Sequence, residues 1–481
     1  MKNPLLDIFK TPYQSTPFGE IKTEHFIPAI KKEIQESLKA IDKITNQTAH
    51  PCFDNTINAL QNIGELLERN CAILFNLNNA NTSEKIQQIT QQVSPILTKF
   101  QNDVRLNQGL FKRIKNVFEN KENENLTSEQ LTLLKKELKS FVRNGALLSE
   151  DQKLILREID TEIVKLSLSF GENVLADTND FLLHVTQEKQ LKGLPEQVKE
   201  MAAEIAKSKN KTGWIFTLDY PSYVPFMTYV EDRTLRRKMS LAFGKIGFRK
   251  NDHNNSEIIL KIIKLRKKRA ELLGYESHAS FILEERMAGT EENVNNFLND
   301  LYQSALPAAK KEWEELVSYA KKNLNLDQIE KWDTAYVTEK LKQEQLNLDE
   351  QLLKPYFPLE KVKLGLFEIV GKLFGLSFKK NKDIQVYHNE VEVYEVLNSH
   401  GYFHALLYTD FFPREGKRNG AWMTSYRSQK KGQRPHVSIV CNFSKPTSSL
   451  PSLLNFQEVT TLFHEFGHAL HGILAETTYR S

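Results

Sequence analysis

Two histidines four residues apart, His464 and His468, bracket a glutamate, Glu465, late in this 481-residue chain. On a helix, side chains at i and i+4 share a face, so both imidazoles can converge on one cation. Glu465 is then placed to take a proton from a water beside that cation. The chemistry this spacing suits is hydrolysis by a metal-activated water, with Zn2+, one per complete site, as the metal.

The surrounding residues supply the helix. Asn455 and Glu458 form a capping box, and Val459, Leu462, Phe463, Phe466, Ala469, Leu470, Ile473 and Leu474 recur at helical spacing. At about 100° per residue this stripe faces a core. His464, His468 and His471 fall on the opposite side, toward a cleft or solvent, with Glu465 between the two faces. Paired histidines at this spacing arise by chance as well; the capped amphipathic helix around them is the added constraint.

Zinc needs a third protein ligand. His471 lies seven residues past His464, about 10.5 Å along the axis, whereas each ligand nitrogen must sit about 2.0–2.1 Å from the metal. Glu476 is rotated toward the apolar side. The third ligand is therefore expected from a separate helix.

Residues 460–472 (TTLFHEFGHALHG) resemble the active-site helix of the thimet oligopeptidase and peptidyl-dipeptidase family of zinc metallopeptidases. Residues 410–423 (DFFPREGKRNGAWM) are similar to that family's strand-and-turn segment above the site, and residues 218–226, 254–274 and 332–336 are similar to further family segments. Residues 3–18 and 75–81 most resemble its bacterial peptidyl-dipeptidase branch. The resemblance implies a third ligand, a glutamate on the next helix, lying beyond Ser481 with the tyrosine and arginine that contact substrate. The chain is accordingly expected to be an N-terminal portion of a longer enzyme, its catalytic lobe incomplete, binding zinc weakly and hydrolysing nothing alone.

The same resemblance implies two largely helical lobes around a deep channel that admits short unfolded peptides. It also implies release of dipeptides from the peptide C-terminus by the metal-activated water, with Glu465 as general base. An endo-acting oligopeptidase of the same family is the alternative. Outside enzymes, a noncatalytic helical peptide-binding scaffold that keeps the motif stays open.

Composition sets the bounds. With 40% hydrophobic residues and a net charge of +4, the chain reads as a soluble globular protein without nucleic acid as its main partner. The basic cluster Lys261, Lys264, Arg266, Lys267, Lys268 and Arg269 interleaves with Ile262, Ile263 and Leu265, the pattern of a helix with one solvated and one packed side. Cys52, Cys71 and Cys441 are widely spaced and form no CxxC pair, which fits a reducing compartment. No export signal or apolar run of membrane-spanning length is visible. A cytoplasmic monomer without a membrane partner is expected.

The elements that must position the site read as mainly α, an α+β fold of zincin type with a small antiparallel sheet next to the active helix. Thr127 and Gln130 cap a helix that stops at Asn144-Gly145, and Ser149 starts another with the stripe Ile155, Ile159, Ile163, Leu166 and Phe170; the two are expected to pair antiparallel. Further helical stripes span 25–44, 55–77, 83–106, 294–322 and 359–374. A boundary near 221–225 divides an N-terminal helical region, 1–222, from the catalytic region, 223–481, resting partly on the family's layout.

Strands are expected at 384–388, 392–397, 402–408, 420–423 and 436–443. An edge of that sheet could hold an extended peptide by main-chain hydrogen bonds. The resemblance puts Gly420 and Ala421 on that edge as substrate-binding residues, with a turn at Gly420 as the second reading. His404 and His436 read as sheet histidines first and cleft residues second.

Overall fold

The computed structural model describes residues 3–480. Helices dominate, and two sheets interrupt them. A short antiparallel pair joins β1 (Leu183–Val185) to β2 (Trp214–Phe216). The larger sheet contains β3 (Ser377–Lys380), β4 (Glu392–Leu397), β5 (Phe403–Asp410), β6 (Trp422–Arg427) and β7 (His436–Val440), in the order β3-β4-β5-β7-β6. The fold is therefore mainly α with a small sheet, as the sequence implies.

Three details of that sheet differ from expectation. β5 and β7 run parallel, so the sheet is mixed: after β5 the chain skips one position to lay down β6 at the edge, and the return strand β7 fills the gap. Residues 384–388 form no strand; Ile384 is buried in an irregular segment, and the Tyr387 hydroxyl donates to Asp410 Oδ2 at 2.6 Å. The outer place goes instead to β3. Finally, β6 begins at Trp422, because Gly420 adopts φ +102°, outside the range of a strand.

The sheet is covered on both faces, and the two-residue alternation of β5 shows how. Leu406 and Tyr408 point into a core built with Leu5, Phe26, Ile30, Ile73 and Val93 from the N-terminal helices. Ala405 and Leu407 point the other way, into a core with Val437, Ile439, Leu366 and Val370 and with Leu462, Phe466, Ala469 and Ile473 of the histidine helix, Phe456–Leu474. Each fully buried large side chain contributes about 1.5–3 kcal/mol, so both layers hold the sheet firmly.

Helix caps fall where the sequence puts them. Thr127 and Gln130 cap Ser128–Arg143, Ser149 and Gln152 cap Glu150–Asn179, and Gly145 takes φ +93° after the first of these. Their packing differs. Glu150–Asn179 lies mainly against Glu84–Arg105 and Ser256–Leu272, not against its predecessor, and it buries Leu156 and Ile159 while Ile155 stays 49% exposed. At about 45 Å, a helix this long spans several neighbours. The basic helix Ser256–Leu272 buries only Ala270, and Ile263 on its apolar side is exposed. Helix Glu291–Leu324 likewise buries only Leu316 and Ala320, leaving Phe297, Leu301 and Tyr302 in solvent.

No helix among the described residues is long and apolar enough to cross a membrane. The three cysteines are free.

Candidate active site

Both ends of the histidine helix are tied down. At its start, the Asn455 side chain accepts from Glu458 N and Glu458 Oε2 accepts from Asn455 N, each at 2.8 Å. The other Glu458 oxygen accepts from Ser444 N at 2.9 Å, which ties the cap to the segment following β7. Burial pushes the Glu458 carboxyl above its usual range. At the other end, Arg434 donates to the carbonyls of Ile473 and Ala475 and, at 2.7 Å, to His404 O. A cation at a helix C-terminus satisfies the last carbonyls and complements the dipole.

Between these anchors, the His464 and His468 rings stand 4.9 Å apart, edge to face, and both residues are exposed. Glu465, on the inner edge, is buried at 8% exposure. A cavity of about 550 Å³ opens beside them, lined by Ala421, Trp422 and Met423 of the strand side and Glu465, His468, His471 and Gly472 of the helix side.

Sequence-derived candidates are thus partly gathered. Glu465, His468 and Ala421 line one cavity, and His464 stands next to His468. Gly420 does not line it. Its carbonyl accepts from Asn442 Nδ2 at 2.7 Å, and a Cβ there would meet open space. The positive φ, not crowding, calls for glycine at this turn.

His404 and His436 are sheet residues outside the cavity. The His404 ring meets Arg434 Nη2 at 2.9 Å, and burial followed by that cation lowers its pKa. His436 is buried in β7, where burial and the Arg427 charge hold its pKa down to about 3.

Three features were not singled out from sequence. Gly472 packs so closely that a Cβ would lie 2.9 Å from Met423 Cε and 3.4 Å from Val437 Cγ2. A glycine inside an otherwise strong helix, disfavoured by about 1 kcal/mol, was the available signal. Asn76, on helix Glu65–Ala80, accepts from Thr424 Oγ1 at 2.8 Å and donates to Ser425 O at 3.0 Å. The Ser425 carbonyl therefore points off the sheet edge, and by strand alternation the main chain of Met423, two residues earlier in β6, points the same way. The third feature is Asp410, fully buried, which accepts from Lys417 Nζ at 2.7 Å, Arg414 Nη2 at 2.6 Å and Tyr387 Oη. Lys417 also donates to Phe412 O and Cys441 O, which locks the turn that feeds β6. Burial outweighs Asp410's attraction and brings Lys417 down to about 8.

The donor set fits zinc in part. Among the described residues no group hydrogen-bonds the His464 or His468 ring, so their nitrogens are uncommitted, and two imidazoles one turn apart suit two corners of a tetrahedron. No third His, Cys, Asp or Glu among the described residues completes the set.

Residues 226–481 match the model of peptidase family M3, and residues 27–153 match that of the neurolysin and thimet oligopeptidase N-terminal domain. The chain is 32% identical to oligopeptidase A of Escherichia coli, over 98% of this chain and 70% of that protein. It is 35% identical to dipeptidyl carboxypeptidase of the same organism, over 99% and 71%. With thimet-like oligopeptidase of Dictyostelium discoideum it shares 29% identity over 93% and 69%.

Proposed function

Because the chain belongs to peptidase family M3, we propose that it carries the two-histidine half of a zinc peptidase site, with His464 and His468 as ligands and Glu465 as general base. The observation that carries this reading is one cavity shared by Glu465, His468 and the free end of an edge strand. When bound, zinc supplies a Lewis acid that activates water and polarises a carbonyl.

The chain's own residues then divide the work. Glu465 stands beside the ligands on the buried edge of the helix, where it accepts a proton from the attacking water and returns one to the leaving amine. The outward main chain of Met423 pairs with an extended peptide, with Ala421 lining the cavity beside it, which accounts for tolerance of side chains in short unfolded substrates. Gly420 supplies the turn that frees this edge. With these two as the ligands among the described residues, zinc is held weakly. Residues 1–222 act as a helical support and 223–481 as the catalytic region, in a monomer working in the cytoplasm.

For specificity we favour release of C-terminal dipeptides, supported by the 35% identity to dipeptidyl carboxypeptidase. Internal cleavage is the second reading, supported by the similarity to oligopeptidase A. In a polypeptide that supplies the third ligand, N-blocked peptides with free and amidated C-termini separate the two: dipeptide release is lost on amidation, whereas indifference to it rejects our choice. In the same polypeptide Glu465→Gln should abolish turnover and keep the metal, and near-normal turnover would remove Glu465 from its role.

A further inference from the structure

At the other end of β6, helix Glu65–Ala80, the N-terminal segment and the turn after the strand enclose a cavity of about 510 Å³. Its lining holds five cations, Arg69, Arg427, Lys430, Lys431 and Arg480, and two carboxylates, Glu65 and Glu68. Both carboxylates are engaged. Glu65 pairs with Lys430 at 2.6 Å; Glu68 pairs with Arg480 at 2.8 Å and accepts from Ser428 Oγ at 3.0 Å.

Arg69 and Arg427 have no carboxylate within ion-pair distance among the described residues. Arg69 donates to Leu5 O, Asp7 O and Asn70 Oδ1 and lies 3.8 Å from the Phe9 ring centre. Arg427 commits one N–H, to Tyr13 O at 2.9 Å, and its remaining donors have no partner among the described residues. Lys431, exposed at the rim, pairs with no carboxylate among the described residues. Burial lowers both guanidinium pKas, that of Arg69 to about 10, and Arg427 adds repulsion to Arg69. Glu33 and Glu65 offset part of the Arg69 charge and Glu65 part of that of Arg427, each from beyond ion-pair distance, so two partly desolvated cations face one concavity with their charge incompletely compensated. An anion accepting from the free fork of Arg427 would offset it, and a phosphate presents the oxygens that this planar fork matches.

We propose that this cavity binds a multiply charged phosphate, with Arg427 and Lys431 as direct ligands and Arg69 as fixed charge behind them. The phosphate is either free or part of a small organic ester, whose remaining atoms would lie on the apolar wall of Ile8, Phe9 and Leu66. Strand β6 runs from the histidine cavity to this one, so the ligand would sit against the strand whose other end borders the candidate active site. The site needs no third metal ligand, so it can be tested apart from the peptidase reading.

The test is isothermal titration of the 481-residue chain with inorganic phosphate, pyrophosphate and adenosine 5′-diphosphate, at ionic strength fixed with sodium chloride and with succinate as a dicarboxylate control. One saturable site for pyrophosphate is expected, weakened about tenfold or more, roughly 1.4 kcal/mol, by Arg427→Gln and by Lys431→Gln. Lys431→Gln removes a side chain engaged in no ion pair, so its effect is not one of folding. Tighter binding of the nucleotide would identify an organic ester as the source, and equal binding a free anion; both support the proposal. Absence of saturable binding, unchanged affinity in both variants, or succinate binding as tightly as pyrophosphate would overturn it.

Discussion

Gly472 packs directly on Met423: a Cβ on the glycine would lie 2.9 Å from the methionine's Cε, so any side chain there must displace that end of the methionine. The helix bearing His464 and His468 is thereby seated against the edge strand that borders the candidate cleft. The helix of the two candidate ligands and the edge strand meet at this contact.

Enlarging that contact should separate the two. Gly472→Val is expected to cost about 1–3 kcal/mol through overpacking, read from urea unfolding. Adding Met423→Ala should return part of the loss, because the clash is with the flexible end of Met423. No recovery in the double variant would mean that the cost arises elsewhere in the helix.

Asn76 joins the N-terminal helices to β6 by two hydrogen bonds. Asn76→Ala should cost about 1 kcal/mol, because it leaves two half-buried partners without their hydrogen bonds. Amide exchange at Thr424 and Ser425 should quicken in that variant while exchange in β4 stays unchanged. Uniform exchange rates along both strands would contradict this local role.

Removing the carboxylate charge of Asp410 should be far more damaging. Asp410→Asn leaves Lys417 buried without its counter-ion, a change that typically costs about 3–5 kcal/mol. A loss under 1 kcal/mol in thermal or denaturant unfolding would show that the turn into β6 is not held by this cluster.

Acid sensitivity should trace to His436. Unfolded, this histidine takes a proton near its ordinary value of 6.5; folded, burial and then Arg427 hold it neutral down to about 3. The unfolded state therefore binds more protons between those values, and stability falls as pH drops through that window, by at most about 1.4 kcal/mol per pH unit from this group. Replacing it by Phe should flatten the slope of unfolding free energy between pH 6.5 and 5, and an unaltered slope would contradict the assignment.

Much of the local structure was legible because it is written in short spacings. The Asn455/Glu458 box, the Thr127/Gln130 box, the start at Ser149 and the stripe through Leu462, Phe466 and Ile473 each involve residues within a few turns. What escaped depends on distant partners. Tyr387 lies in a stretch rich in strand formers, yet its hydroxyl is engaged by Asp410 and the segment stays irregular. The parallel pairing of β5 with β7 follows from where the chain places β6, which no residue of β5 announces. For the candidate site, the motif on one helix was visible. The roles of Gly472, Asn76 and Asp410 rest on contacts with residues far away in sequence.

The most direct test of the metal assignment is a zinc titration of the 481-residue chain, with a chromophoric chelator as competitor, alongside His464→Ala, His468→Ala and Glu465→Gln. One weakly held zinc is expected in the parent chain and in Glu465→Gln, with affinity falling about tenfold or more in each histidine variant. Zinc binding that survives both histidine substitutions unchanged would contradict it.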